Sequence, residues 1–186
     1  MDRISQLPDE LILRILSFLP SMKHVMATTL LSKRWQFLGM MVPKLVYDYA
    51  YHYTRYRGSK RYSYFSDFVD KSLLTHEAPA IETMHFKLGQ VYSSGDIRVW
   101  IREAGKRQVR ELIIEFHLAY SRVTLPRSLY TYCRMLTTLK LSNAVLVDDD
   151  ETSPVSFPSL KRLSLCIHGV PEFVVFQKAF TRLSCS

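Results

Sequence analysis

Apolar residues recur at helical spacing in three short runs within residues 1–43. In the first run, Pro8 precedes two acidic residues. This order favours a helix start, because proline fits the first turn and acids suit the positive end of the helix dipole. Pro20 ends that run, and Ser21 and Ser32 stand where caps would begin the second and third helices. The pattern therefore predicts three short helices.

This helical segment contains more large apolar side chains than so short a bundle can bury in one interior. One small core cannot bury all eight of the following side chains: Leu7, Leu11, Leu16, Leu19, Val25, Leu31, Trp35 and Phe37. Some must pack on the rest of the chain or on a partner protein, since contiguous apolar surface on a soluble protein usually marks an interface. Periodicity alone leaves both possibilities open.

Residues 47–64 contain seven tyrosines with interleaved arginine and lysine. Alternating apolar residues from Leu45 onward predict an edge strand that leads into an exposed loop near Gly58. Aromatic rings beside basic side chains can also bind single-stranded nucleic acid by base stacking, although the spacing of an RNA-recognition module is missing. Ser66 is then the predicted cap of an amphipathic helix that ends before Pro79.

Beyond residue 80, four segments share an apolar–x–x–apolar–x–apolar frame. Their apolar positions are Ile81, Met84 and Phe86, then Val109, Leu112 and Ile114, then Leu136, Leu139 and Leu141, and finally Leu160, Leu163 and Leu165. The central members are 28, 27 and 24 residues apart, which is in the range of leucine-rich repeats. The last two positions alternate as a strand requires, so several units must stack to bury this face. An α/β domain without regular solenoid geometry stays open as the alternative.

Three strings of the helical segment, ISQLPDELILRILSFLP, ATTLLSKRWQFL and MMVPKL, resemble the F-box of the plant family of F-box proteins with leucine-rich repeats. The matching positions are Leu7, Pro8, Asp9, Leu11, Ile15, Leu16, Leu19, Pro20, Leu31, Ser32, Lys33, Arg34, Trp35 and Pro43. The resemblance implies a non-catalytic substrate receptor of an SCF-type (Skp–cullin–F-box) E3 ubiquitin ligase. Its implied partners are a Skp-type adaptor, a cullin reached through that adaptor, and a target protein of unknown identity.

The same resemblance implies which residues form the surface and core that face the adaptor. They are Leu7, Pro8, Leu11, Ile12, Leu16, Leu19, Leu31 and Trp35. One position departs from the family pattern, because Gly39 stands where a second tryptophan is often found. If that tryptophan is an anchor, its loss weakens adaptor binding, since large aromatic side chains carry much of an interface's affinity.

The expected fold class is mixed α/β: a three-helix F-box followed by an irregular leucine-rich-repeat-like solenoid with a curved parallel sheet. We expect the F-box over residues 1–44, a tyrosine-rich connector and linking helix over 45–79, and about four repeats over 80–186. By resemblance, Asn143 is expected to bond the backbone of a repeat turn. Relatives of this type usually continue into a C-terminal FBD domain, so the last repeat is expected to lack a cap and to expose apolar surface.

Net charge and cysteine usage further narrow the possible classes of protein and the cellular compartment. The formal net charge is +8, but it is spread over both halves of the chain, which is typical of a solvated surface. Three widely separated cysteines favour a reducing compartment. The amino terminus lacks a secretory signal, and the apolar run LILRILSFLP is too short to cross a bilayer. We therefore expect a soluble intracellular protein of the nucleus, the cytoplasm or both.

Candidate chemistry is sparse. The six histidines show no metal-ligand spacing, and the acidic run at residues 148–151 lacks the spacing and glycine of an EF-hand loop. No phosphate loop or nucleophile elbow is present in the sequence. We therefore expect no cofactor, no metal site and no catalytic residue. The alternatives to a receptor are a shortened F-box protein that recruits no target and a single-stranded nucleic-acid binder centred on residues 47–64; nothing supports a hydrolase.

Overall fold

The computed structural model has a mixed α/β architecture, with an N-terminal helical region followed by a sheet and a layer of helices. The described residues are 6–51, 59–89, 93–117, 123–146, 157–167 and 170–177. The helical region contains the three predicted helices, which are α1 (Asp9–Ser17), α2 (Met22–Thr28) and α3 (Lys33–Met40). Three further helices follow: α4 (Ser59–Thr75), α5 (Ser94–Lys106) and α6 (Ser128–Tyr132).

Two serines stand at the starts of the second and third helices, as predicted. Ser32 caps α3 through its side chain, which accepts a hydrogen bond from the backbone N–H of Trp35 at 3.4 Å. Ser21 precedes α2 but makes no side-chain cap bond. Its hydroxyl lies 2.9 Å from Nδ1 of His24 instead.

Eight strands are described. They are β1 (Lys44–Asp48), β2 (Thr83–Leu88), β3 (Glu111–Phe116), β4 (Val123–Leu125), β5 (Thr138–Ser142), β6 (Ala144–Leu146), β7 (Arg162–Ile167) and β8 (Val170–Gln177). The main sheet has the order β1-β2-β3-β5-β7-β8, and its first five strands run parallel. β8 pairs antiparallel with β7 at one edge. β4 and β6 form a separate parallel pair.

The predicted repeat frame sets the register of this sheet. The central apolar positions Met84, Leu112, Leu139 and Leu163 are direct partners across β2, β3, β5 and β7. A fifth copy of the frame precedes them, at Val42, Leu45 and Tyr47, and Leu45 pairs with Met84. The predicted edge strand is thus confirmed over Lys44–Asp48, and it carries the same frame, but Tyr49–Tyr51, which were expected to continue the strand, form a short 3₁₀ helix instead.

One face of the sheet is buried beneath the helices. In β2 and β3, residues alternate between buried and half-buried positions. On the buried side, the Phe86 ring of β2 stacks on Trp100 of α5, with ring centroids 5.1 Å apart. Phe65 of α4 meets the same Trp100 ring edge-on at 6.0 Å, so both helices lie on one side of the sheet. The polar residues of the strands face the other side.

The linking helix begins earlier than predicted. Ser66 was expected to cap it, but α4 starts at Ser59, and Ser66 is a buried residue in its middle. The reason is a partner that is distant in sequence: the hydroxyls of Tyr62 and Ser66 donate to the same oxygen of Asp96 on α5, at 3.0 and 2.7 Å. The helix that these hydrogen bonds stabilise therefore begins at Ser59, within the tyrosine-rich stretch.

The end of α5 is closed by a left-handed residue. Gln108 has a φ of 53°, and its N–H donates to the carbonyl of Gly105 at 3.1 Å. The N–H of Val109 reaches back to the carbonyl of Ala104 at 3.1 Å, which completes a Schellman motif. This turn directs the chain from α5 into β3.

Candidate interaction surfaces

The first helix is apolar on two sides. Ile12 and Leu16 point into the protein and are fully buried. Leu11 and Ile15, one position before each of them, are 46% and 44% exposed, and Phe18 is 77% exposed. A helix that only packs on its own chain would carry polar residues on that outer side.

Large apolar side chains are also exposed beyond the first helix. Leu30 and Leu31, in the turn between α2 and α3, are 89% and 67% exposed, and Phe37 on α3 is 48% exposed. We call these six residues the exposed apolar set: Leu11, Ile15, Phe18, Leu30, Leu31 and Phe37. Such a concentration of large exposed apolar side chains within about thirty residues is typical of a protein-binding surface.

An arginine joins the start of α1 to α3. The guanidinium of Arg34 donates to the carboxylate of Asp9 at 2.5 and 2.8 Å and to the carbonyl of Leu7 at 2.5 Å. These bonds orient α1 relative to α3, so they set the positions from which Leu11 and Phe37 project. Neither Asp9 nor Arg34 was predicted to have a role at this surface.

A buried histidine fastens the helical segment to the rest of the chain. Nε2 of His76, just after α4, donates to the carbonyl of Val42 at 2.9 Å. The Arg107 guanidinium donates to the carbonyls of His76 and Leu73, at 2.8 and 2.6 Å, and also lies 3.3 Å from Nδ1 of His76. Burial lowers the pKa of His76, the bond to Val42 partly opposes this, and the Arg107 charge lowers it again.

The open face of the sheet carries a ladder of charged side chains. Lys140 on β5 donates to Glu111 on β3 at 2.8 Å, and Lys87 on β2 lies 3.5 Å from Asp48 on β1. Burial by itself raises the pKa of Glu111, but the hydrogen bond and charge of Lys140 hold it below its usual value. Adjacent strands thus neutralise one another's charges across this face.

A histidine lies at the centre of the same face. Nε2 of His85 is 3.3 Å from Glu115, but the geometry is not that of a hydrogen bond, and this nitrogen is buried without a hydrogen-bond partner among the described residues. Burial lowers the pKa of His85, while the Glu115 carboxylate raises it and Lys87 lowers it. The net effect is a lowered pKa of His85.

Comparison with known proteins identifies the helical segment. Residues 4–40 match the F-box-like family model. The chain is 60% identical over 178 residues to one FBD-associated F-box protein of Arabidopsis thaliana and 58% identical over 169 residues to another. The chain therefore contains an F-box-like domain and is similar over most of its length to plant FBD-associated F-box proteins.

The similarity covers most of this chain but less than half of each relative. The two alignments cover 94% and 89% of the chain, and 42% and 38% of the relatives. An F-box/FBD/LRR-repeat protein of the same plant is 47% identical over 167 residues, covering 89% of the chain and 38% of the relative. The chain thus spans about two fifths of the length of the curated relatives it matches. No solved structure matches it.

Within this F-box, the eight residues predicted to face the adaptor fall into three groups. Ile12, Leu16 and Trp35 are buried in the protein's own core. Leu7 and Leu19 are half-buried and pack against that core. Pro8, Leu11 and Leu31 are exposed. The other four members of the exposed apolar set were not among the residues predicted to face the adaptor: Ile15, Phe18, Leu30 and Phe37.

The F-box departure at Gly39 has a structural cause. Gly39 is buried on the inner side of α3, and a Cβ there would lie 3.0 Å from the Cγ2 methyl of Thr29 and 3.7 Å from Val25. The glycine therefore permits close approach of α2 and α3. A tryptophan at this position would meet α2 rather than project outward with the exposed apolar set.

Most described tyrosines of the predicted nucleic-acid segment are used inside the protein. Tyr47 is fully buried, stacks on Phe86 at 5.4 Å, and its hydroxyl lies 3.1 Å from that of Ser72. Burial raises the pKa values of both Tyr47 and Tyr62. The Tyr49 ring lies 4.3 Å beneath the Arg61 guanidinium. Tyr53 and Tyr56 lie outside the described residues. Two other described tyrosines of this segment are exposed, Tyr51 at 38% and Tyr64 at 52%.

By resemblance Asn143 was expected to bond the backbone of a repeat turn, and its side chain bonds the backbone at the end of β3. It has a φ of 57° and is buried, and its side-chain amide donates to the carbonyl of Phe116 at 2.8 Å. Its own N–H donates to the carbonyl of Cys166 at 2.8 Å. One residue thereby links β3 and β7 through the turn that follows β5.

The described residues contain no cluster of three or more His, Cys, Asp or Glu side chains that could hold a metal ion. The acidic run at 148–151 lies outside them. Burial raises the pKa of the Cys133 thiol to about 12, so this cysteine is a poor nucleophile. Among the described helices, none is both long enough and apolar enough to cross a membrane.

Proposed function

We propose that this chain is a substrate-receptor subunit of an SCF-type E3 ubiquitin ligase. In this proposal the F-box binds a Skp-type adaptor and, through it, a cullin, while the rest of the chain binds a target protein. The observation that carries the proposal is the exposed apolar set. The F-box already buries Ile12, Leu16 and Trp35 in the core that it shares with the rest of the chain, yet it still exposes six large apolar side chains.

The energetics favour a protein partner for that set. Covering an exposed leucine or phenylalanine contributes roughly 1.5–3 kcal/mol, so burial of several such residues can offset the cost of association. Phe18 and Leu30, the two most exposed members, are the candidate anchors. The proposed adaptor-facing residues are therefore the exposed apolar set together with Pro8, whereas Ile12, Leu16 and Trp35 hold the helices that present them.

We further propose that β1 to β7 form a leucine-rich-repeat-like solenoid. Supporting this, the frame is repeated on five parallel strands, and helices α4 and α5 pack on one face of the sheet. Three backbone hydrogen bonds recur two residues before the central apolar position. They join Glu82 to Pro43, Thr137 to Arg110 and Lys161 to Thr137, at 2.8, 2.8 and 2.9 Å. The open polar face of the sheet is the proposed target surface.

No residue of this chain performs chemistry in the proposed function. The gain in ubiquitin transfer comes from proximity, because a tethered target is held at a high effective concentration near the ubiquitin carrier. Receptor activity therefore requires two separate surfaces on one rigid chain. The His76–Val42–Arg107 contacts serve that requirement, because they fix the F-box to the helix layer.

The test is a binding measurement between the purified chain and a purified Skp-type adaptor. A variant carrying Phe18→Ser and Leu30→Ser removes two exposed anchors without opening the core. The matched control carries Leu74→Ser and Val99→Ser, at positions on α4 and α5 that are 83% and 52% exposed. We expect the first variant to lose adaptor binding by about a hundredfold and the control to retain it.

Equal binding by both variants would show that the adaptor does not contact the exposed apolar set. Failure of the folded wild-type chain to bind any Skp-type adaptor would overturn the receptor proposal. Turnover of cellular proteins is then compared with and without the chain. If the adaptor binds but removing the chain slows the turnover of no protein, the chain is an F-box protein that recruits no target.

A further inference from the structure

A basic groove lies at the edge of the sheet where the strands β3, β5 and β7 begin. It encloses about 640 Å³. Its lining consists of three cationic side chains, two hydroxyls and two apolar side chains, which are Arg110, Lys161, Arg162, Thr137, Ser159, Met135 and Pro158. No carboxylate lines it among the described residues. This groove is separate from the exposed apolar set of the F-box.

The repeat geometry brings the cations together. Arg110, Thr137 and Lys161 each stand two residues before the central apolar position of their unit, so they form a row across three consecutive strands. Strands in a sheet are about 4.8 Å apart, which places the Arg110 and Lys161 backbones about 10 Å from each other. The same position in the first two units holds Pro43 and Glu82, so the basic row is confined to one end of the sheet.

These cations differ from the lysines on the open face. Lys87 and Lys140 are each matched with a carboxylate on a neighbouring strand. Arg110 and Lys161 are exposed and have no ion pair among the described residues. Arg162 acts at a distance on Glu111, whose carboxylate is already bonded to Lys140. The groove thus holds a positive charge that the described chain does not neutralise.

We propose that this groove binds a phosphoryl group on a segment of the target protein. Arginine forks donate paired hydrogen bonds to phosphate oxygens, and lysine adds a point charge. The groove is larger than one phosphoryl group needs, and Met135 and Pro158 at its rim offer apolar contacts to neighbouring peptide residues. None of its lining residues is aromatic, whereas single-stranded nucleic acid is held mainly by base stacking.

This inference rests on the proposed receptor function, since it takes the ligand to be part of a target. The experiment uses the full chain and three probes: a degenerate peptide library with a fixed central phosphoserine, the same library with serine, and inorganic tripolyphosphate. The test variant carries Arg110→Gln and Lys161→Gln. The matched control carries Arg98→Gln and Arg102→Gln, which removes the same charge from exposed positions on α5.

We expect the phosphoserine library to bind at least about tenfold more tightly than the serine library. Each lost charged hydrogen bond is expected to weaken binding by about tenfold, so the test variant should lose most phosphoserine binding while the control keeps it. Adaptor binding is measured on the same variants and should not change. This separates failure of the groove from failure of the receptor proposal.

Three outcomes would overturn the inference. Equal affinity for the two libraries would exclude phosphoryl recognition. Binding of tripolyphosphate alone, with dependence on Arg110 and Lys161, would assign the groove to a free anion. Binding of a single-stranded oligonucleotide with the same dependence, more tightly than the phosphoserine library, would assign it to nucleic acid.

Discussion

The F-box and the sheet region treat their apolar and charged residues in opposite ways. The F-box buries a small core and leaves six large apolar side chains exposed. In the sheet region, the inward residues of β2 and β3 are buried, and the charges on the open face are paired between strands. Apolar side chains that stay exposed and charges that stay unpaired are therefore confined to particular places in the described part of the chain. Those places are where we expect partners to bind.

The sharpest test of this comparison substitutes two leucines of α1, one buried and one exposed. Leu16→Ala removes a fully buried side chain of the F-box core and is expected to lower the free energy of unfolding by about 3 kcal/mol. Leu11→Ala, on the exposed side of the same helix, is expected to change it by less than about 0.5 kcal/mol but to weaken adaptor binding. Urea unfolding and adaptor titration measure the two effects. Equal destabilisation by both variants would mean that Leu11 is part of the core.

We predict that the helix layer does not tolerate a side chain at one of its glycines. A Cβ on Gly105 of α5 would lie 2.5–2.7 Å from Cβ and backbone atoms of Tyr132 at the end of α6. Because backbone cannot rotate away, Gly105→Ala is expected to lower the free energy of unfolding by about 2 kcal/mol. Gly95→Ala, at the start of α5, meets only the Ser93 hydroxyl at 3.4 Å and serves as the control. Similar midpoints for the two variants in urea would contradict close α5–α6 packing.

The contact between the two regions is predicted to weaken in acid. Because folding lowers the pKa of His76, its contribution to stability is complete above its usual value of 6.5 and declines as pH falls through that value toward the lower folded pKa. Protonation would add a proton at Nδ1, which faces the Arg107 guanidinium. His85 contributes in the same direction. Comparison of urea midpoints at about pH 7.5 and about pH 5.5 measures the loss.

A variant at His76 measures how much of that loss of stability is due to this histidine. His76→Gln can keep a donor to the carbonyl of Val42 but cannot be protonated, so its stability should fall less between the two pH values than that of the wild type. An unchanged slope in the His76 variant would place the acid sensitivity elsewhere.

The smallest predicted effect is a stabilisation. Gln108 occupies a left-handed conformation at the end of α5, which costs a residue with a side chain roughly 1 kcal/mol. Gln108→Gly is expected to raise the free energy of unfolding by about 0.5–1 kcal/mol, because glycine adopts this φ without strain. Thermal unfolding checks the sign. A lower midpoint would mean that the Gln108 side chain contributes more than its backbone costs.

Much of the fold could be predicted from local patterns. The repeated frame at Leu112, Leu139 and Leu163 gave the strand register, because a strand's alternation and the repeat spacing are both written along the chain. The three F-box helices followed from their apolar spacing and punctuating prolines and serines. The early start of α4 could not be predicted, because it depends on Asp96, which lies 30 residues beyond Ser66.

The sequence by itself determined the helical F-box, its family resemblance and the repeated strand frame, since each resides in residues close together along the chain. Only the tertiary structure decided which apolar residues of α1 face outward, because Leu11 and Ile12 are chemically alike and a short helix apolar on two sides has no preferred face until it packs. Tertiary structure also brought Arg110 and Lys161 together, since residues 51 apart become neighbours only when their strands stack in one sheet.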